Sequence, residues 1–184
     1  TAPEGPHRIL ADAAPERRAD AVARAADYPY HPLVFVLPPW EEIYVTDEER
    51  DRTFEAAKAL GAAGFSSSTV ISEARRLIPF VERHKMFVAM HNHNNLVDPD
   101  QFATPESFET ALAMSPYFKA TLDIGHFVAG NNDPVAFIKK HHDRTVNIHV
   151  RDRKRNNGPN RPFGQGDTPI AEVLRLIRDE KYPI

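Results

Sequence analysis

The sequence predicts an α/β fold built on a parallel sheet, and three observations carry that prediction. Apolar-rich runs recur at 33–37, 86–90, 119–124 and 145–150, the first two apolar at every position, and all four read as strands covered on both faces. Each is followed by a segment with helical spacing and a helix-start signal. The last three runs end near His91, Ile124 and Val150, which are 33 and 26 residues apart, the length of one strand-loop-helix unit. Five strands, counting a weak one at 62–67, suit either an open doubly wound sheet or part of an eight-stranded barrel. No glycine-rich phosphate loop follows the first run, which argues against dinucleotide binding.

In chain order, residues 1–32 hold Ala, Arg, Asp, Glu and Pro with few large apolar side chains, and read as an arm or solvated helix without chemistry. Residues 33–184 read as the α/β domain. The run at 33–37 stops at Pro38-Pro39, with Glu42 beyond it as a loop acid or, alternatively, a ligand. Thr46 and Glu49 form a capping box, Asp47 and Glu48 suit the helix N-terminus, and Gly61 is a stop. Phe54, Ala57 and Leu60 give that helix one apolar face. The hydroxyls Ser66, Ser67, Ser68 and Thr69 read as caps of the next helix, with substrate contact as the alternative. In that helix Val70, Ala74, Leu77, Ile78 and Val81 keep helical spacing, and Pro79 should kink it or mark its first turn. Thr104-Pro105-Glu106, Asn132-Asp133-Pro134 and Thr168-Pro169 open three further helices. The polar stretch 151–167 reads as a long loop wrapping the rim of a site, with Gly164 and Gly166 allowing close backbone approach.

Composition excludes several function classes. With 41% hydrophobic and 27% charged residues the chain is ordinary for a soluble domain. A net charge of -3 supplies no basic field for nucleic acid or a membrane surface, and the absence of cysteine rules out disulfides and thiolate metal sites. No apolar run approaches the ~20 residues of a membrane span. The compartment is left open.

In both parallel architectures the active site lies at the C-terminal ends of the strands. His91 and His93 share one strand face, Asp123 and His126 close the next strand across Gly125, and His149 ends the third with Asp152 just beyond. Two or three imidazoles and a carboxylate facing one cavity are costly to desolvate unless paired or sharing a cation. A borderline divalent ion takes such nitrogen and oxygen donors, and polarises a carbonyl or hydroxyl so that an enediolate forms and a neighbouring His or Asp moves the proton. His7, His31, His84, His141 and His142 read as polar surface.

From about residue 46 onward the chain resembles the xylose isomerase-like sugar phosphate isomerase/epimerase barrels. The resemblance lies in "MHNHNN", "LDIGHF", "IHVRDRK" and "GPNRPFGQGDTPI", in that order. It implies a (β/α)8 TIM barrel, here incomplete at its first and last strands, and an enzyme that isomerises, epimerises or dehydrates sugars and polyols. It implies a divalent metal (Mn, Mg, Co or Zn) on Asp123 and His149 with His91, which stands where many members carry a glutamate. It further implies that His93 lines the pocket and that His126 contacts substrate or a second metal. With Asp152, from its place just beyond the third strand, these are the candidate catalytic residues, contacting substrate or moving protons. The last metal glutamate of the family is expected on a strand just past Ile184. The expected partner is a small carbohydrate; no nucleic acid or membrane is expected, and homo-oligomers are common among such barrels. The alternatives are a lyase acting by inosose-type dehydration or oxidised-glycoside cleavage, an endonuclease IV-like nuclease, and a non-catalytic truncated barrel.

Overall fold

A computed structural model describes residues 46–184; the predicted arm, the strand at 33–37 and Glu42 lie outside them. The chain forms two compact units, residues 1–65 and 66–184.

In the first unit, helix α1 (Asp47–Ala59) opens on the expected capping box: the Thr46 hydroxyl accepts from Glu49 N and the Glu49 carboxylate accepts from Thr46 N. Phe54 and Ala57 are fully buried, and the Phe54 ring packs edge-on against Phe65 with centroids 5.0 Å apart. Leu60, expected on the same face, is partly exposed.

Strand β1 (Gly64–Ser67) spans the junction of the units. The second unit then alternates as predicted: α2 (Ile71–His84), β2 (Phe87–His91), α3 (Pro105–Met114), β3 (Phe118–Asp123), α4 (Ile124–Ala129), α5 (Pro134–His141), β4 (Thr145–His149), β5 (Asp152–Arg153), β6 (Asn160–Arg161) and α6 (Ile170–Asp179). The sheet order is β1-β2-β3-β4, and β2, β3 and β4 pair in parallel. Val88, Ala89, Met90, Ala120 and Leu122 are fully buried, as strands under helices must be. On the helix side Phe102, Phe108, Phe127 and Phe137 form a connected aromatic cluster. Each fully buried ring contributes about 1.5–3 kcal/mol by leaving water.

Four local expectations are corrected. The hydroxyls at 66–69 do not cap α2: its N-cap is Val70 without a side-chain bond, and Asp100 reaches across to accept from Ser72 N instead. Pro79 does not mark the first turn of α2: it lies inside the helix, which runs on to His84. Thr168 does not cap α6; its hydroxyl accepts from Arg153 N, and Pro169 stands at the N-cap. The stretch 151–167 is not structureless: β5 and β6 form an antiparallel hairpin whose turn places Asn156 and Asn157 at positive φ, a conformation asparagine tolerates well.

Candidate metal centre and substrate pocket

Register decides which side chains meet. His91 pairs with Thr121 across β2 and β3, and Asp123 pairs with His149 across β3 and β4. Residues paired in register share a face, and so do residues two apart, so His91, Thr121, Asp123 and His149 all project to one side of the sheet. A register shift between Ala120 and Thr121 matters here: Ala120 pairs with Thr145 but Thr121 with Asn147. That one-residue irregularity sets His149, rather than Ile148, opposite Asp123.

Asp123 is fully buried. Its main chain is clamped by Asn92, whose amide oxygen accepts from Asp123 N (2.8 Å) and whose amide nitrogen donates to Asp123 O (3.1 Å). Its Oδ1 accepts from His126 N (2.8 Å) and so caps α4. Gly125 lies in the first turn of that helix, where the glycine serves close approach. A Cβ at Gly125 would lie 2.6 Å from Arg151 Cβ and 2.8 Å from Arg151 O.

Asp123 Oδ2 has no hydrogen bond. Arg151 Nε is within ion-pair distance at 2.9 Å, but its N–H is not aimed at the oxygen, so the contact is electrostatic. Around Oδ2 stand His91 Nε2 at 3.8 Å, His126 Nε2 at 3.9 Å and His149 Nδ1 at 4.0 Å, while His91 Nε2 and His149 Nδ1 are 2.9 Å apart. One atom each from His91, Asp123 and His149 fall within 4.8 Å of one another. Bonds of about 2.0–2.2 Å to a tetrahedral ion place ligand atoms about 3.2–3.6 Å apart, so the three fit a divalent cation after small side-chain shifts.

Protonation suits that reading. Burial lowers the His91 pKa to about 3, assisted by His149, His93, His126 and Arg151. Burial also lowers His126, to about 4; Asp123 opposes the shift while Arg151, Arg153 and His93 add to it. His93 and His149 are lowered by burial against the pull of Asp123. At neutral pH all four rings are therefore uncharged, the form in which imidazole binds a cation. Ser68 Oγ lies 3.2 Å from His91 Nδ1 and 3.3 Å from His93 Nε2. A proton on His91 Nδ1 shared with Ser68 leaves Nε2 to accept from His149 Nδ1, a bond that a cation bound at Asp123 would replace.

Five of the six residues singled out from the sequence are thus brought together, with the His93 ring 5.2 Å from His91 and 5.6 Å from His126. Asp152 is placed otherwise. Its buried carboxylate accepts from the main-chain N–H groups of Gly164 (2.8 Å), Gly166 (2.9 Å) and Thr168 (3.2 Å), stapling the hairpin loop. A Cβ at Gly166 would overlap Asp152 Oδ1, so the expected close approach is made to this carboxylate. Burial alone would raise the Asp152 pKa, but the N–H groups of Gly166, Thr168, Gly164 and Gln165 outweigh it and hold the pKa below the ordinary value. A depressed carboxylate pKa stabilises the fold above its unfolded value and loses that contribution as pH falls through the folded one. Asp152→Asn is expected to cost about 1–3 kcal/mol at pH 7. Thermal melts should show the gap to wild type closing below about pH 4. A gap independent of pH would show that the charge is not what holds the loop.

From the sequence, Asn92 and Asn94 take no site role, and Arg151 and Arg153 stand only as part of a local basic run. Each acts through a partner at least 28 residues away or on a neighbouring strand, which no local pattern reveals.

The pattern of the xylose isomerase-like TIM barrel family matches residues 5–183. The chain belongs to that family. Among solved structures, this xylose isomerase-like barrel is similar to a D-tagatose 3-epimerase-like protein, at 17% identity and TM-score 0.69 over 97% of this chain and 76% of that one. It is similar to the probable 3-DHS dehydratase involved in petrobactin synthesis from Bacillus anthracis, at 14% identity and TM-score 0.69 over 96% of this chain and 77% of that one. It is also similar to an AP endonuclease, family 2, from Brucella melitensis, at 14% identity and TM-score 0.58 over 82% and 68%. At such identities the likeness establishes the barrel fold. No curated protein matches the chain significantly. Among the described residues of this xylose isomerase-like barrel, no helix is long and apolar enough to cross a membrane.

Proposed function

We propose that this barrel is a metal-dependent isomerase or epimerase of a sugar, keto-sugar or polyol. The observation that carries the reading is the buried Asp123 Oδ2, a carboxylate oxygen without a hydrogen bond, faced by three uncharged imidazoles. The Arg151 guanidinium at 2.9 Å offsets the charge without a hydrogen bond, and a divalent cation would engage the carboxylate oxygen and the imidazole nitrogens together. His91, Asp123 and His149 would hold that cation, and when bound it would polarise a carbonyl or hydroxyl oxygen of the substrate. His93, half-buried against Ser68 and next to His126, is the group suited to take a proton from the carbon beside that oxygen and return it to the neighbouring one. His126, held near pKa 4, is a weak base and serves better as a hydrogen-bond donor to a substrate oxygen. Asp152, whose carboxylate is engaged by the N–H groups of Gly164, Gly166 and Thr168, is given a loop-holding part in this reading and no proton transfer.

The nuclease alternative loses support from the loop's cations. Of the local basic run Arg151, Arg153, Lys154 and Arg155, Arg151 lies on Asp123, Arg153 donates into Gly158 O and Asn94, and Lys154 pairs with Asp167, so three of its four cations are engaged internally. A lyase would use the same groups on a substrate with a leaving group beside the acidic carbon.

The test is a panel of ketopentoses, ketohexoses and inososes offered to protein stripped of metal and reloaded singly with Mn, Co, Mg or Zn, in D2O, with products read by NMR. Mass-conserving interconversion with deuterium entering one carbon is expected. Loss of water or of an aglycone would move the assignment to the lyase reading. No turnover and no deuterium exchange with any metal would refute both.

A further inference from the structure

We propose that Arg153 is a positioning residue: from β5 of the hairpin beyond β4 it holds His126 in the tautomer that carries its proton on Nε2. The ring then presents a hydrogen-bond donor, not a metal-binding lone pair, to the pocket at Asp123. This assignment rests on the functional reading above for what the donor does, but not for which nitrogen is protonated.

The geometry is as follows. Arg153 Nη1 lies 2.7 Å from His126 Nδ1 and 2.9 Å from Asn94 Oδ1, and Asn94 Oδ1 itself lies 2.9 Å from His126 Nδ1. Taken alone, the asparagine oxygen would accept a proton from Nδ1. A guanidinium has N–H donors only, so a proton on Nδ1 would set donor against donor. Nδ1 must therefore accept from Arg153, and the proton goes to Nε2.

The arginine is not free to turn away. Its Nε and Nη2 both donate to Gly158 O, at 3.1 and 2.7 Å. The Asn156-Asn157 turn at positive φ delivers that carbonyl, and the main chain of Arg153 is held by Thr168. Asn94 is oriented from its other end, where its amide nitrogen meets Asn157 Oδ1, leaving its oxygen to face Arg153.

At the opposite side of the ring, Nε2 is 3.9 Å from Asp123 Oδ2, the oxygen without a hydrogen bond. A donor there meets an acceptor and is close enough to serve a substrate oxygen bound beside Asp123. The sequence left open whether His126 contacts substrate or metal. Arg153 separates the roles: lone pairs come from His91 and His149, and the N–H comes from His126.

The experiment is a long-range 1H–15N correlation spectrum of metal-free protein labelled with 15N-histidine at pH 7, with His126 assigned by its loss in His126→Gln. The wild type is expected to show a protonated Nε2 and a bare Nδ1. Arg153→Met, which keeps the stem and removes the donors, should shift the ring toward protonation at Nδ1, now bonded to Asn94. Arg153→Lys, which retains a cationic donor, should restore the original pattern. Cation affinity in Arg153→Met should stay within about threefold of wild type, since no ligand is touched, while kcat/KM on any substrate found falls about tenfold for one lost hydrogen bond. A wild-type ring protonated at Nδ1, or a tautomer unchanged in Arg153→Met, overturns the proposal whatever the enzyme's reaction proves to be. The wild-type spectrum decides this even where the variants fold poorly.

Discussion

Asp123→Asn is expected to abolish turnover and to weaken divalent-cation binding by on the order of a hundredfold or more, while the protein stays folded. Loss of an outer-shell partner of a metal ligand already costs about 10- to 100-fold, and Asp123 is the only carboxylate in its ligand group. The isosteric amide keeps an oxygen able to accept from His126 N, so the cap of α4 survives, whereas Asp123→Ala would also lose about 0.5–2 kcal/mol of capping. Arg151→Gln should act in the opposite direction. Its guanidinium lies 2.9 Å from the same carboxylate oxygen and repels an incoming cation, so its removal should tighten binding by about tenfold. Equilibrium dialysis of both variants beside thermal melts checks the pair. Unchanged cation affinity in Asp123→Asn would sink the metal assignment.

Gly125→Ala should be the most damaging single-methyl change in the pocket. The new Cβ would meet Arg151 Cβ at 2.6 Å and Arg151 O at 2.8 Å, and the second of these is main chain that cannot swing aside. Forcing an atom into packed surroundings costs about 1–3 kcal/mol. Relief requires α4 to part from the segment after β4, which moves Arg151 away from Asp123 and His126 away from Arg153. A lowered Tm together with altered cation affinity is the expected result. A wild-type melt would show that the approach is slack.

Much of this was legible in the residues, for identifiable reasons. The run behind β2 is apolar at every position, those behind β3 and β4 are apolar at alternate positions, and the caps at Thr46, Thr104 and Asp133 sit next to the amides they bind, so local pattern sufficed. His91, Asp123 and His149 stood out because three strand ends carried donors at once. What stayed hidden was long-range. Ser68 looked like a cap because hydroxyls precede a helix, yet it faces His91 and His93 from a neighbouring strand. Asp152 looked catalytic because it follows His149 closely, yet its acceptors' partners lie 12 to 16 residues on. Arg151 and Arg153 read as a surface basic run, since nothing local shows that one guanidinium meets Asp123 and the other His126.

The double clamp of Asn92 on the main chain of Asp123 has a consequence for how such a pocket diversifies. The aspartate is fixed through its own peptide groups and does not lean on the ligand next door. Replacing the nitrogen donor at His91 by an oxygen donor would then leave the remaining coordination sphere standing, and would tilt its preference from borderline ions toward hard ones such as magnesium. One exchange on β2 is enough to retune the ion while the scaffold keeps its shape.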